Sequence, residues 1–343
     1  MRPPLPTVRS LVLSAFRRLR NPCTLAVLAV LPLTGCRTTA PAFGTAAATR
    51  SAPVRVYDAR ASRWVPFDEM MRSVSTADVV FLGEQHDDPV THSLELAVLA
   101  AIGERRGRVV LSLEMFERDV QGALDRYLAG TMPEVDFLAA SRPWDRYATD
   151  YRPLVELARV RGWPVVAANV PRPIASAVSR RGIAHIDSLS PLMRTFAAAD
   201  HQCPRDGYFD RFAETMSGHG AGIPAAPSSG ASPATATAAA DPGARAVIER
   251  FYEAQCVKDE AMGEAVATAF ATSGRATPVL HVDGAFHSDY RLGTVERARR
   301  RMGNARMVVL SAVPVADLAT ADAAPHRGKA DYIVFTLATT KRP

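Results

Sequence analysis

The chain has 343 residues, 48% of them apolar, and 41 basic against 35 acidic side chains give a formal charge of +6 and an isoelectric point near 9.4. The apolar share excludes a disordered chain, and four cysteines are too few for a fold built on disulfides. The length allows two domains or one large α/β domain with an insertion, and the basic balance raises nucleic acid as a partner.

The charge is concentrated at the start of the chain. Arg2, Arg9, Arg17, Arg18 and Arg20 precede a short apolar run from Thr24 to Leu33, with no acidic residue among them. Such a run is too short to span a bilayer, which takes about 20 apolar residues, and it has the pattern of an export signal. It ends in Leu33-Thr34-Gly35-Cys36, which resembles the bacterial lipobox. The Cys36 thiol is then the lipid acceptor, and several acyl chains give stable membrane anchoring where one does not. Arg37 follows, and the lack of Asp there favours outer-membrane sorting. Removal of residues 1–35 takes away five of the six net positive charges and leaves the mature chain at +1. The argument for nucleic acid falls with them. Residues 36–52, rich in Ala, Thr and Pro, read as a flexible tether, and the folded domain spans 53–343.

Further along, Val79–Leu82, Val109–Leu113, Val165–Ala168, Pro278–Val282, Val308–Val313 and Tyr332–Leu337 read as buried strands. Continuous apolar runs suit a mainly parallel sheet flanked by helices on both faces. Asp88 as N-cap and Pro89 at the first helical position start a helix whose Val90, Leu94, Ala97 and Ala101 share one face. Strand, helix and strand in that order predict a right-handed βαβ unit. Residues 115–160 and 174–272 are mainly helical and form an inserted helical subdomain. Its strongest helix lies within Ala246–Phe270. Residues 217–243, with Ser217-Gly218-His219-Gly220 and a run of Ala, Pro, Ser and Thr, read as a flexible insertion. Cys203 and Cys256 flank it. In an exported protein they are a disulfide candidate, and two separate buried thiols are the equal alternative.

The polar residues fall where these strands end. The first strand runs into Glu84-Gln85-His86, the second into Glu114, the third into Asn169 with Arg172 beyond, and the fourth into Asp283-Gly284 and then His287. Ligands of open parallel sheets bind outside the carboxyl ends of strands. Glu84, His86, Glu114 and His287 make a mixed nitrogen and oxygen set that suits Zn, Mn or Fe better than Ca. Alternatively, one glutamate is a general base for water and a histidine polarises a carbonyl. There is no His-Glu-x-x-His, Gly-x-Ser-x-Gly or P-loop. His281 lies within a strand, as a core histidine or a ligand. Gln255 and Asp259 share one helix face, with Lys258 beside them. Trp144, Tyr147 and Tyr151 recur at helical spacing and read as core packing. His92, one turn into its helix, lies off the apolar stripe, toward either the site or solvent.

In combination, several segments resemble the ChaN family of haem-binding lipoproteins. They are Gly83-Glu84-Gln85-His86-Asp87 with His92; Leu113-Glu114-Met115-Phe116 and Gln121; and Trp144, Tyr147 and Tyr151-Arg152-Pro153. Ala167-Ala168-Asn169-Val170-Pro171-Arg172, Gln255 with Lys258-Asp259 and Met262, and Gly284 with His287 complete the set, in family order from about 78 to 300. The family is similar in turn to the Tiki and erythromycin-esterase-like proteins, whose Glu-x-His turn, later Glu and late His serve hydrolysis. The resemblance implies an α/β core with a helical subdomain and a polar site of Glu84, His86, Glu114 and His287, with Asn169, Arg172, Gln255 and Asp259 as ligand-binding residues. It implies haem or iron as the ligand, in uptake, or alternatively a divalent transition metal serving a hydrolase. It also implies a membrane partner through the anchor, and is compatible with a homodimer. The chain departs from the pattern in the 217–243 insertion and in Ser288–Gly293, where many members have a Gly-Ile-Pro type of ending. A haem site needs an axial ligand such as Tyr or His. Tyr147, Tyr151, Tyr208, Tyr252 and Tyr290 are candidates, and the resemblance assigns none of them. The lack of Cys-x-x-Cys-His excludes covalent attachment.

Overall fold

Eight strands share one sheet in the computed structural model, which describes residues 53–218, 242–274 and 276–339. The expected export signal, Cys36, the expected tether and most of the 217–243 segment lie outside the described residues. The strands are β1 (Val54–Asp58), β2 (Arg63–Val65), β3 (Val79–Glu84), β4 (Val110–Glu117), β5 (Val165–Asn169), β6 (Val279–Gly284), β7 (Met307–Val315) and β8 (Tyr332–Leu337). They lie in the order β2-β1-β8-β7-β3-β6-β4-β5. The pairings from β8 through to β5 are parallel, and β1 and β2 add an antiparallel edge. This is the α/β fold with a mainly parallel sheet that the apolar runs predict.

Both faces of the sheet are covered, which explains the unbroken apolar runs. Val80, Leu82, Leu111 and Leu113 pack on one face, with Met70 and Met71 of α1 (Phe67–Val74) and Leu94, Val98 and Ile102 of α2 (Pro89–Arg106). Val79, Phe81, Val110 and Val309 pack on the other face, against helices late in the chain. Asp88 caps α2 through its carboxylate, which accepts from the Val90 and Thr91 amides, and Gly107 closes the helix in the left-handed region at φ 75°.

Two features of the sheet go beyond the expected elements. β3 and β4 are parallel, but β6 lies between them, so the crossover through α2 spans a strand that arrives much later in the chain. The sequence around β1 and β2 carries no long apolar run, because β2 is the edge strand and β1, next to it, is only partly buried.

The remaining helices surround the strand ends. They are α3 (Gln121–Leu128), α4 (Glu134–Ser141), α5 (Tyr147–Asp150), α6 (Arg152–Arg161), α7 (Arg172–Arg181), α8 (Pro191–Arg194), α9 (Gly207–Gly218), α10 (Pro242–Ser273), α11 (Ala285–Ser288) and α12 (Gly293–Met302). Cys203 and Cys256 form a disulfide with a Cα–Cα distance of 5.8 Å, tying the segment before α9 to the middle of α10. No helix among the described residues is long and apolar enough to cross a membrane.

Candidate functional site

The four strands whose ends carry the polar residues lie side by side as β3-β6-β4-β5. Their carboxyl ends therefore deliver Glu84, Gly284, Glu114 and Asn169 to a continuous edge. The ladder between β4 and β6 ends at Leu113↔Val282, and the register between β4 and β5 shifts after Leu113. Glu114 is thus free to turn over the sheet end, where its Oε2 accepts the Gly284 amide at 2.8 Å.

His287, on the one-turn helix α11, sits between two carboxylates. Its Nδ1 donates to Asp259 Oδ1 at 2.7 Å, and its Nε2 is 3.3 Å from Glu114 Oε1. Asp259 is fully buried on α10 and also accepts from the Thr294 hydroxyl at 2.9 Å and the Tyr208 hydroxyl at 2.8 Å. Gln255, one turn before Asp259, brings its amide within 3.2 Å of His287 Nε2. Burial opposes charge on His287, but Glu114 and Asp259 outweigh it and hold the imidazole well above its ordinary range. Burial likewise opposes charge on Glu114. His287, His86 and the Gly284 amide prevail and lower it to about 2.

Glu84 and His86 form a second pair. His86 Nδ1 donates to Glu84 Oε1 at 2.5 Å, and the Tyr151 hydroxyl donates to the same oxygen at 2.6 Å. The His86 side chain remains 49% exposed and packs edge-on against Trp144. Its Nε2 lies 2.7 Å from where a Cβ on Gly284 would stand. Only glycine at 284 lets the ring lie there. Burial disfavours charge on His86, and the Glu84 hydrogen bond with the Glu114 field overcomes it, so its affinity for a proton rises.

Beside this edge opens a cleft of 650 Å³. Trp144, Val170, Phe212, Met216 and Phe251 supply apolar walls, and Arg172 and Lys258 bring positive charge. Glu114, Asn169 and Gln255 face it from the strand ends and α10. Of the residues expected to bind ligand, Asn169, Arg172 and Gln255 line this cleft. Asp259 stands behind His287 and orients it. Glu84 lies under His86, so the four expected metal ligands form two pairs, His86–Glu84 joined by a hydrogen bond and His287–Glu114 in ion-pair contact.

Other residues left open by the sequence find their places. His92 is buried and faces Glu84, because α2 packs directly beneath β3. His281 is a core histidine bonded to the Ser112 hydroxyl at 2.9 Å. Among the tyrosines considered as axial ligands, Tyr147, Tyr151, Tyr208 and Tyr252 are buried. The hydroxyls of the last three serve Glu84, Asp259 and the Pro204 carbonyl. The Tyr290 ring is covered by the Arg211 guanidinium at 3.6 Å. The apolar wall from Phe212, Met216 and Phe251 was not legible in sequence, since it forms where α9 meets α10.

The fold and the strand-edge site define an α/β protein whose ligand site crowns a parallel sheet. The family model described as haem-binding uptake, Tiki superfamily, ChaN matches residues 70–298, and the chain belongs to this family. Among solved structures, the fold is similar to that of ChaN from Campylobacter jejuni, determined with cofacial haem. The TM-score is 0.60 at 15% identity, covering 84% of this chain and 97% of that one. A Bacillus cereus protein follows at TM-score 0.46 and 11% identity, with 78% and 90% of the two chains covered. An erythromycin esterase mutant in its open conformation gives 0.41 and 10%, with 76% and 77% covered. No curated protein matches the chain.

Proposed function

We propose that the mature protein is a lipid-anchored envelope protein that binds haem in the cleft over the strand ends and acts in haem or iron uptake. The cleft carries this reading. A porphyrin is a flat apolar disc with two carboxylates at one margin. Apolar walls from Trp144, Phe212, Met216 and Phe251, with cations at Arg172 and Lys258, match both parts of it. Membership of a family described as haem-binding supports the ligand. When bound, haem supplies an iron centre that accepts an axial nitrogen or oxygen. His86 is the half-exposed imidazole at this edge, with Glu84 on its Nδ1 fixing the ring and its Nε2 over Gly284, and it would be the candidate nitrogen ligand. Arg172 and Lys258 would hold the carboxylate margin, and the apolar walls would exclude water from the disc.

A haemin titration of the mature domain, read at the Soret band, tests this. We expect saturable binding near one equivalent or a small integer multiple. His86→Ala should alter the Soret position. Arg172→Ala and Lys258→Ala should each weaken binding by about 10-fold, the worth of a charge-assisted hydrogen bond. Absence of saturable binding would sink the reading.

The Asp259–His287–Glu114 array favours a second reading. An oriented imidazole between carboxylates can transfer protons, as a hydrolase requires, with Glu84, His86, Glu114 and His287 as the working groups and a divalent metal as their cofactor. Ester or amide hydrolysis that survives His287→Ala would exclude it.

A further inference from the structure

Beneath His86, on the side away from the cleft, lies a second polar cluster. His92 is its centre. Its Nδ1 is 3.4 Å from Glu84 Oε2 and 3.2 Å from Glu95 Oε2. Its Nε2 is 3.2 Å from the His86 carbonyl and 3.3 Å from Asp150 Oδ2. Glu84, His92 and Glu95 are all buried, and one donor atom from each lies within 4.8 Å of the others. Two of the carboxylate oxygens, Glu84 Oε2 and Glu95 Oε1, are buried without a well-aligned hydrogen bond.

This arrangement calls for a cation or for protons shared among the buried groups. Two buried carboxylates converge on one imidazole nitrogen, and an oxygen left unsatisfied in the interior destabilises the fold by several kcal/mol in order of magnitude. If Nε2 donates its proton to Asp150 and the His86 carbonyl, Nδ1 presents a lone pair toward both glutamates. That is the tautomer a metal-bound histidine adopts when a carboxylate backs its other nitrogen. The distances agree. Donors bound at about 2.0–2.2 Å to one ion stand about 3–3.5 Å from each other. The donor set, one imidazole and two carboxylates, suits a first-row divalent ion.

We infer that Glu84, His92 and Glu95 form an inner metal site for a divalent transition ion, backed by Asp150 and separate from the cleft. A cavity of 390 Å³ between α2 and the α5–α6 turn has His92 and Asp150 in its wall and Arg146 and Ser93 beside them. Binding releases the protons that otherwise sit among these groups and changes no oxidation state. The bound ion also fixes Glu84 Oε2, so that Glu84 Oε1 holds His86 from below.

The test uses the mature chain without haemin, so it does not depend on the haem reading. Protein stripped with a chelator is dialysed against Zn(II), and its metal content is measured. We expect one zinc per chain, absent from Glu95→Gln and His92→Ala and retained by Glu114→Gln and His287→Ala. Asp150→Asn, which removes the backing carboxylate, should weaken zinc binding by about 10–100-fold. Anomalous diffraction from wild-type crystals at the zinc edge decides the matter if the variants do not fold. A peak enclosed by Glu84, His92 and Glu95 supports the site. No retained zinc, a peak elsewhere, or zinc lost with His287→Ala but kept by Glu95→Gln overturns it.

Discussion

Glu114 ties the strand-edge site to the core. It is buried, accepts the Gly284 amide, and faces His287 and His86. Its carboxyl is lowered from 4.5 to about 2, so the charged form contributes stability above pH 4.5 that is lost as the pH falls toward 2. The shift corresponds to about 3 kcal/mol. We predict that the urea midpoint of the wild type falls between pH 4.5 and 2. Glu114→Gln should be less stable at neutral pH and show a flatter acid limb. The opposite sign applies to His287, whose raised affinity for protons stabilises the fold below about pH 6.5 and fades as the pH climbs through its folded value. Each carboxylate and each histidine was visible in sequence. Their pairing was not, because Glu84 and Glu114 look alike until the strands place one under His86 and the other against His287.

At the scale of elements, α10 is the organiser. It carries Gln255 and Asp259 to His287, Lys258 and Phe251 to the cleft, and Cys256 to the disulfide. The disulfide holds the segment that leads into α9, where Tyr208 donates to Asp259. A closed loop with a sequence separation of 53 limits the unfolded chain, and a loop of that size contributes about 4 kcal/mol on the chain-entropy model. We predict that Cys203→Ser with Cys256→Ser lowers the urea midpoint by a corresponding amount, measured on oxidised protein with the wild type as reference. An unchanged midpoint would show that packing alone secures this corner. The α2 start was legible in advance, since Asp88 and Pro89 are local signals. The neighbour of β3 was not, since hydrogen-bonded pairing with β6 joins residues about two hundred positions apart.

For the whole molecule, the net charge lies mainly at one end. The five arginines ahead of Cys36 account for most of the net positive charge, and the chain from Cys36 onward is close to neutral. Anchoring through Cys36 predicts that the full-length protein fractionates with membranes and that Cys36→Ser releases it to the soluble fraction, as followed by immunoblot. Continued membrane association of Cys36→Ser would remove the lipid anchor from the proposal. An anchored protein with its cleft at one end of the sheet would suit capture of a ligand near a membrane, as the proposed uptake role requires.

The sequence by itself determined the strands of the parallel sheet, the cap of α2, the family motifs and the residue types at the strand ends. These are local or periodic properties, set by burial on two faces and by hydrogen bonding within a few residues. The tertiary structure alone decided which groups meet. It inserted β6 between β3 and β4, turned His92 inward onto Glu84 and Glu95, and closed the cleft where α9 meets α10. Contacts of that kind join residues far apart in the chain, and their energies depend on the dielectric and the partners that burial creates.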